Sequence, residues 1–288
     1  MKILILGSKG MLAQDLKLIF KDKKLILWDK EELDITNEKM VKKRIEELKP
    51  RIIINAAAYT DVDKAETEKE LAFKINGKAV GYLVKTAFQI NSLFIHFSTD
   101  YVFGQNKKQG YKEDDFPLNP LNVYGASKLE GEKNILKEKS LKYYLIRISW
   151  LFGPSKERGK YKNFVETILK ISKEKNEIRV VNDQFGKLTY TLDVVKTLRY
   201  LIENKKPYGI YHLPNELSTN WYHFAKKIIE ITGQKTKIIP CKTKDFPRPA
   251  KRPRYSVLIN TKIPKLRNWQ EALKDYLEES TKKKIKSE

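Results

Sequence analysis

"KILILGSKGMLAQDL", residues 2–16, decides the fold. An unbroken apolar run, residues 3–6, predicts a strand buried on both faces. Directly after it, Gly7-x-x-Gly10-x-x-Ala13 predicts a tight turn into a helix over about residues 11–21. Glycines at such a turn let the backbone approach a pyrophosphate, and the helix N-terminus favours its charge. Gly7, Gly10, Met11 and Leu12 are therefore candidate cofactor-binding residues. Glycines at a strand–helix turn also occur without any ligand, so the surrounding chain has to decide.

Working outward, the same kind of run recurs in "KLILW" (24–28), "RIIIN" (51–55), "LFIHF" (93–97) and "YYLIRI" (143–148). Amphipathic helical patterns separate them, at about 37–48, twice between 64 and 90, and at about 125–138. This alternation predicts an α/β fold built on a doubly wound parallel Rossmann sheet. Beyond residue 150 the regularity fades: "IRVV" (178–181) and "GIYHL" (209–213) lie among helical patterns near 160–174, 190–204 and 219–232. "PRPAKRPRY" (247–255) cannot be regular helix. The expected organisation is a dinucleotide-binding domain of residues 1–149 plus roughly 179–213, and a smaller, less regular α/β substrate domain of roughly 150–178 and 214–288. The terminal "KKKIKSE" is expected to fray.

Composition excludes several function classes. The chain has 288 residues, 41% hydrophobic and 33% charged, which is globular rather than disordered. It lacks an apolar run long enough to span a membrane, and its short N-terminal run lacks a cleavage site, so a cytoplasmic protein without a membrane partner is expected. The single Cys241 fits a reducing compartment, and the widely spaced His96, His212 and His223 offer no zinc-like cluster. A net charge of +22 raises the question of nucleic acid. Most lysines, however, alternate with glutamate as in "NEKMVKKRIEELK" (37–49), the pattern of a solvated helix face, so no nucleic-acid partner is expected. The positive field still favours an anionic nucleotide.

Further candidates stand at the ends of the predicted strands. Asp29 closes the second one, nineteen residues beyond Gly10, where an acidic side chain accepts from ribose hydroxyls; the adjacent Lys30 suits a ribose 2′-phosphate. Asp34 and Ile35 of "DIT", and Ala56, Ala57, Ala58 and Tyr59 after the third strand, occupy the positions where a sheet's carboxyl edge meets a dinucleotide. Small alanines there leave room for a cofactor, or simply pack a tight corner. Tyr124 and Lys128 of "YGASK" share a helix face, as catalytic partners or as a plain i,i+4 contact. In the catalytic reading, the phenol supplies a proton to a carbonyl oxygen as hydride reaches carbon, and a nearby ammonium lowers the phenol's pKa. Thr99, ending the fourth strand, offers a second hydroxyl to polarise the carbonyl.

Together, "NAAAYTDVDKAE", "STDYVF", "PLNVYGASKLEGE", "RISWLFG", "VNDQFG" and "RPRYSVL" run in order over roughly residues 1–277. In these motifs the chain resembles the extended short-chain dehydrogenases/reductases, and within them the dTDP-4-dehydrorhamnose reductases. The resemblance implies hydride transfer from NADPH or NADH to the 4-keto group of dTDP-4-dehydro-L-rhamnose, giving dTDP-L-rhamnose. It also implies Thr99, Tyr124 and Lys128 as the catalytic set, with Val62, Tyr101 and Trp150 lining the sugar site and Asn163 and Arg252 holding the nucleotide. Ala13 replaces a third glycine, and Leu188 stands where many relatives have proline. Some relatives bridge a dimer through magnesium held by glutamates; the matching positions are Asp15, Leu192 and Gln270, a poor hard-cation set, so no metal is expected and monomer or homodimer stays open. Two other readings resemble the same motifs: a non-catalytic regulatory subunit like that of methionine adenosyltransferase, and a reductase of another nucleotide-linked 4-keto sugar.

Overall fold

The computed structural model describes residues 1–154 and 163–285. Five strands stand where the apolar runs place them: β1 (Lys2–Leu6), β2 (Lys24–Trp28), β3 (Ile52–Asn55), β4 (Leu93–Thr99) and β5 (Tyr143–Ile148). Shorter ones follow as β6 (Leu151–Phe152), β7 (Glu177–Val181), β8 (Phe185–Lys187), β9 (Thr189–Tyr190), β10 (Gly209–His212), β11 (Ser218–Asn220) and β12 (Lys237–Cys241). The helices are α1 (Met11–Ile19), α2 (Glu38–Leu48), α3 (Lys69–Phe73), α4 (Ala79–Gln89), α5 (Val123–Lys137), α6 (Phe164–Ile171), α7 (Thr191–Glu203), α8 (Trp221–Thr232) and α9 (Trp269–Ile285).

Six strands form one parallel sheet in the order β2-β1-β3-β4-β5-β10. Chain direction across the sheet reverses between β1 and β3, which opens a crevice beyond the carboxyl ends there. Ile3 and Ile5 pack with α1 and α7 on one face, while Leu4 and Leu6 pack with α2 and α4 on the other. Two-sided burial is why these strands read as continuous rather than alternating apolar runs. The run in β2 is the exception: it lies at the sheet edge, and Leu27 is 40% exposed.

Between residues 64 and 90 the two expected helices take an unexpected form. A 3₁₀ turn at Lys64–Glu66 precedes α3, which continues through a π turn (Lys74–Lys78) into α4. π turns often mark functional positions. Here the turn carries the buried Asn76, whose Oδ1 accepts from the Tyr59 backbone N–H and whose Nδ2 donates to the Tyr59 carbonyl and to Ser127 Oγ. The loop after β3 is thereby tied to α5.

A second core lies under α6, α8 and α9, where Phe152, Val165, Ile168, Phe224, Ile228 and Leu273 pack together. The strand at Glu177–Val181, assigned from sequence largely to the dinucleotide-binding part, pairs with β12 instead of the main sheet. Lys282–Ile285 of the tail belong to α9, and residues 286–288 lie outside the described residues. So do residues 160–162 of the helix expected from about 160; α6 begins at Phe164. Among the described residues, no helix is long and apolar enough to cross a membrane.

Candidate active site

The glycine turn meets the end of β3. Gly7 has φ +74°, and a Cβ there would lie 2.7 Å from the Ala57 backbone nitrogen, so any larger residue is excluded by strain and by space. Gly10 caps α1 without a side-chain hydrogen bond, and the first turn, from Met11 and Leu12, carries no acidic residue. An anion-binding end is left without a competing carboxylate. Asp29 ties β2 to this turn: Oδ2 accepts from the Lys9 N–H at 3.0 Å and Oδ1 from the Lys30 N–H at 2.9 Å. The Lys30 side chain is exposed beside it.

The neighbouring candidates divide. Asp34 is held by Thr36, whose N–H and Oγ1–H both donate to its Oδ1. Ile35 is buried in the core beside Leu33, so only its backbone can face a cofactor. Ala56 and Ala57 line the crevice opposite Gly7, and Ala58 follows, partly buried. Tyr59 turns its hydroxyl to Glu68 at 2.7 Å; partial burial first, and that carboxylate second, push the phenol up to about 12. Its backbone, not its ring hydroxyl, is what Asn76 fixes.

Thr99, Tyr124 and Lys128 converge at the next carboxyl edge. Asn122 caps α5 by accepting from the Gly125 N–H at 2.8 Å, setting Tyr124 in the first turn and Lys128 one turn later. Burial pushes the Tyr124 phenol up to about 12, with the neighbouring Thr99 hydroxyl opposing the shift and the Asp100 charge adding to it; the Thr99 hydroxyl itself donates to Asp100 Oδ1 at 3.0 Å. Lys128, expected to lower the phenol, is not among the groups that shift it. The Lys128 amine is directed elsewhere, donating to the Phe97 carbonyl at 2.6 Å and facing His96 Nε2 at 3.2 Å, so burial dominates at the phenol. Burial likewise lowers Lys128 to about 8, against the pull of Glu132. Tyr101 meets Tyr124 edge-on with ring centroids 6.0 Å apart, and its phenol lies beside the Arg252 guanidinium.

A strap made by the proline- and arginine-rich stretch crosses this edge. Arg252 forms a two-pronged ion pair with Asp63, next to the half-buried Val62, at 2.6 and 3.0 Å. Asn122 donates to the Lys251 carbonyl, and the buried Ser256 lies beside Asp100. Trp150 stands two residues beyond Ile148, the β5 partner of Thr99, with φ +47° and stacked on Trp221 at 3.9 Å. It packs over Gly186, where a Cβ would come within 2.7 Å of the indole.

Asn163 does not join them. Its Oδ1 caps α6 by accepting from the Glu166 N–H, and its Nδ2 donates to the Gly153 carbonyl and to Tyr276 Oη. Both N–H donors are committed to the fold rather than to a ligand. Asp15, Leu192 and Gln270 lie on α1, α7 and α9, and Leu192 is packed into the second core. Among the described residues, no group of three or more His, Cys, Asp or Glu is placed to hold a metal ion.

Several residues of the site escaped sequence reasoning. Asp100 is fully buried, and burial raises its carboxyl to about 7. Asn55, Asn76 and His96 are buried polar groups. A signal existed for two of them: Asn55 and His96 interrupt runs otherwise made for a buried sheet, where an isolated polar side chain needs a partner.

A parallel sheet with a glycine turn at its reversal point, and Thr99, Tyr124 and Lys128 at the adjoining edge, defines an extended short-chain dehydrogenase/reductase. More narrowly, the family model described as RmlD substrate binding domain matches residues 1–282, and the chain belongs to that family. A dTDP-4-dehydrorhamnose reductase of Aggregatibacter actinomycetemcomitans is 41% identical, over 95% of this chain and 97% of that protein. Among solved structures, a dTDP-4-dehydrorhamnose reductase from Clostridium acetobutylicum is 39% identical, with TM-score 0.91 over 98% of this chain and 100% of that one. Another, from Bacillus anthracis in complex with NADP, is 36% identical, with TM-score 0.90 over 96% and 99%.

Proposed function

We propose that this protein reduces the 4-keto group of dTDP-4-dehydro-L-rhamnose to the alcohol of dTDP-L-rhamnose in the cytoplasm, using NADPH or NADH. The observation that carries the reading is the convergence of Thr99 and Tyr124 above the buried Lys128, beside a glycine crevice, in a chain so similar to named reductases. The crevice fits a dinucleotide: the Gly7–Ala57 approach excludes side chains, and the uncapped start of α1 suits a pyrophosphate. Gly7, Gly10, Met11, Leu12 and the Ala56–Tyr59 backbone would hold it, with Asp29 on a ribose and Lys30 available to a 2′-phosphate. When bound, it supplies hydride to the C4 carbon.

This chain's part is positioning and proton supply. Thr99 and Tyr124 both present hydroxyls to the carbonyl oxygen, polarising it and stabilising the negative charge that grows there. A phenol held at about 12 keeps its proton in the ground state and gives it up to a newly formed alkoxide, a far stronger base. Lys128 lies one turn below as the source from which the phenol is recharged. Tyr101, Val62 and Trp150 border the sugar, while Arg252 offers its guanidinium to the nucleotide side. The relatives' names supply dTDP as the nucleotide; the positive field and the strap supply the reason an anion is retained.

The test is oxidation of NADPH or NADH in the presence of enzymatically generated dTDP-4-dehydro-L-rhamnose, with the product identified. Formation of dTDP-L-rhamnose is expected. Turnover only with a different nucleotide-linked 4-keto sugar would move the substrate assignment, and cofactor binding without any turnover would replace the reductase reading by a regulatory one.

A further inference from the structure

Beneath the proposed active site, β3 and β4 are in a register that pairs Asn55 with His96, placing two polar side chains side by side inside the sheet. Both are buried, and His96 Nε2 faces the amine of Lys128 at 3.2 Å. We propose that His96 is a positioning residue for the reduction: oriented by Asn55, it selects the protonation state of the Lys128 amine and so sets the alkaline limit of turnover. This role rests on the reductase reading.

Asn55 Oδ1 accepts from the Ala57 backbone N–H at 3.2 Å, and a backbone amide can only donate. That fixes the side-chain amide, so Nδ2 faces His96 Nδ1 at 3.0 Å and donates to it. Nδ1 therefore carries no proton. Burial holds the imidazole well below its usual pKa whichever form Lys128 takes, so it is neutral and its proton sits on Nε2. Nε2–H then points at Nζ. An ammonium has only donors, and two donors repel across 3.2 Å; a neutral amine offers a lone pair. In either state Nζ donates to the Phe97 carbonyl.

Lys128 thus meets a satisfied partner as the amine. Taking up a proton requires the imidazole to change tautomer and Asn55 to turn over, breaking its bond to Ala57. Other groups facing the amine do not reverse this. On α5, Glu132 favours the ammonium, but Arg147 of β5 engages both of its oxygens, at 3.0 and 2.7 Å. At the other end Tyr124 and Asp100 are buried, and burial favours their protonated forms. Asn76 of the π turn is uncharged, and Lys74 and Lys78 beside it are exposed. Since a proton must return to Tyr124 after each reduction, turnover falls as Lys128 loses its own.

The test is the pH profile of kcat/KM for wild type and H96Q, together with ring-nitrogen NMR of the histidine-labelled wild-type protein, where only three histidines need assignment. A glutamine can turn its oxygen toward the ammonium, so the alkaline limb is expected to move up by ~1 pH unit or more, as one hydrogen bond to a charged group allows. The NMR is expected to show Nε2–H with bare Nδ1 above the limb and a tautomer change below it. An unmoved limb in active H96Q, or Nδ1–H at every pH, would overturn the role. Should H96Q not fold, the wild-type tautomer decides alone. Absence of turnover in the wild type would instead sink the reductase reading and this role with it, leaving the tautomer measurement to stand on its own.

Discussion

At the scale of single residues, chemistry turns on which hydroxyl holds a proton and why. Replacing Tyr124 by phenylalanine keeps the ring that packs edge-on against Tyr101 and removes only the proton donor. The expected outcome is a ~10²–10⁴-fold lower kcat with cofactor affinity essentially unchanged, measured by steady-state kinetics and fluorescence titration. Asp100 carries a pH dependence of a different kind. Its carboxyl is raised from 3.8 to about 7 by burial, so the folded protein keeps a proton that the unfolded chain releases across that window. Stability present at low pH is therefore lost as pH rises through the window. For D100N that loss disappears, and its stability relative to wild type is expected to climb between pH 4 and 7 in chemical denaturation. A constant difference across that range would show that Asp100 is ionised in the fold. Thr99, Tyr124 and Lys128 were legible as candidates because the motifs that carry them follow one another in order along the predicted strands and helices. Asp100, adjacent to Thr99, was not, because burial and not residue type makes it unusual.

Elements show how the same residue type is put to different uses. Asn122 and Asn163 both cap helices, each accepting from a backbone N–H three residues on. Only the first stands at the site. Asn163→Ala is expected to cost ~1–2 kcal/mol, as loss of a side-chain cap does, while leaving KM for the nucleotide sugar in place. A large rise in KM with unchanged thermal stability would return Asn163 to the binding site. Helix boundaries were readable from periodicity to within a few residues at α2, α5 and α7. The π turn between α3 and α4 was not, since it answers to the buried contacts of Asn76 with Tyr59 and Ser127, residues distant in sequence. Edge placement of β2 was equally hidden: its composition matches that of the inner strands, and only strand order exposes Leu27.

In the whole molecule, the strap from residue 247 to 255 joins the region after the small strands to the edge where Tyr124 stands. Asp63 anchors it through Arg252 and the Ala250 N–H. Asp63→Asn weakens that anchor without touching a reacting group, so KM for the nucleotide sugar is expected to rise several-fold while kcat changes little; a fall in kcat alone would contradict it. By itself the sequence determined the parallel α/β architecture and the glycine turn, because hydrophobic period and turn chemistry are local properties, and its ordered motifs proposed Thr99, Tyr124 and Lys128 as the catalytic set. Only the tertiary structure decided that Glu177–Val181 pairs with β12, that Asn163 caps α6 and reaches Tyr276, and that the Lys128 amine faces His96. Those outcomes depend on strand order, burial and the matching of donors to acceptors across long sequence separations, where a polar group's character is set by what surrounds it.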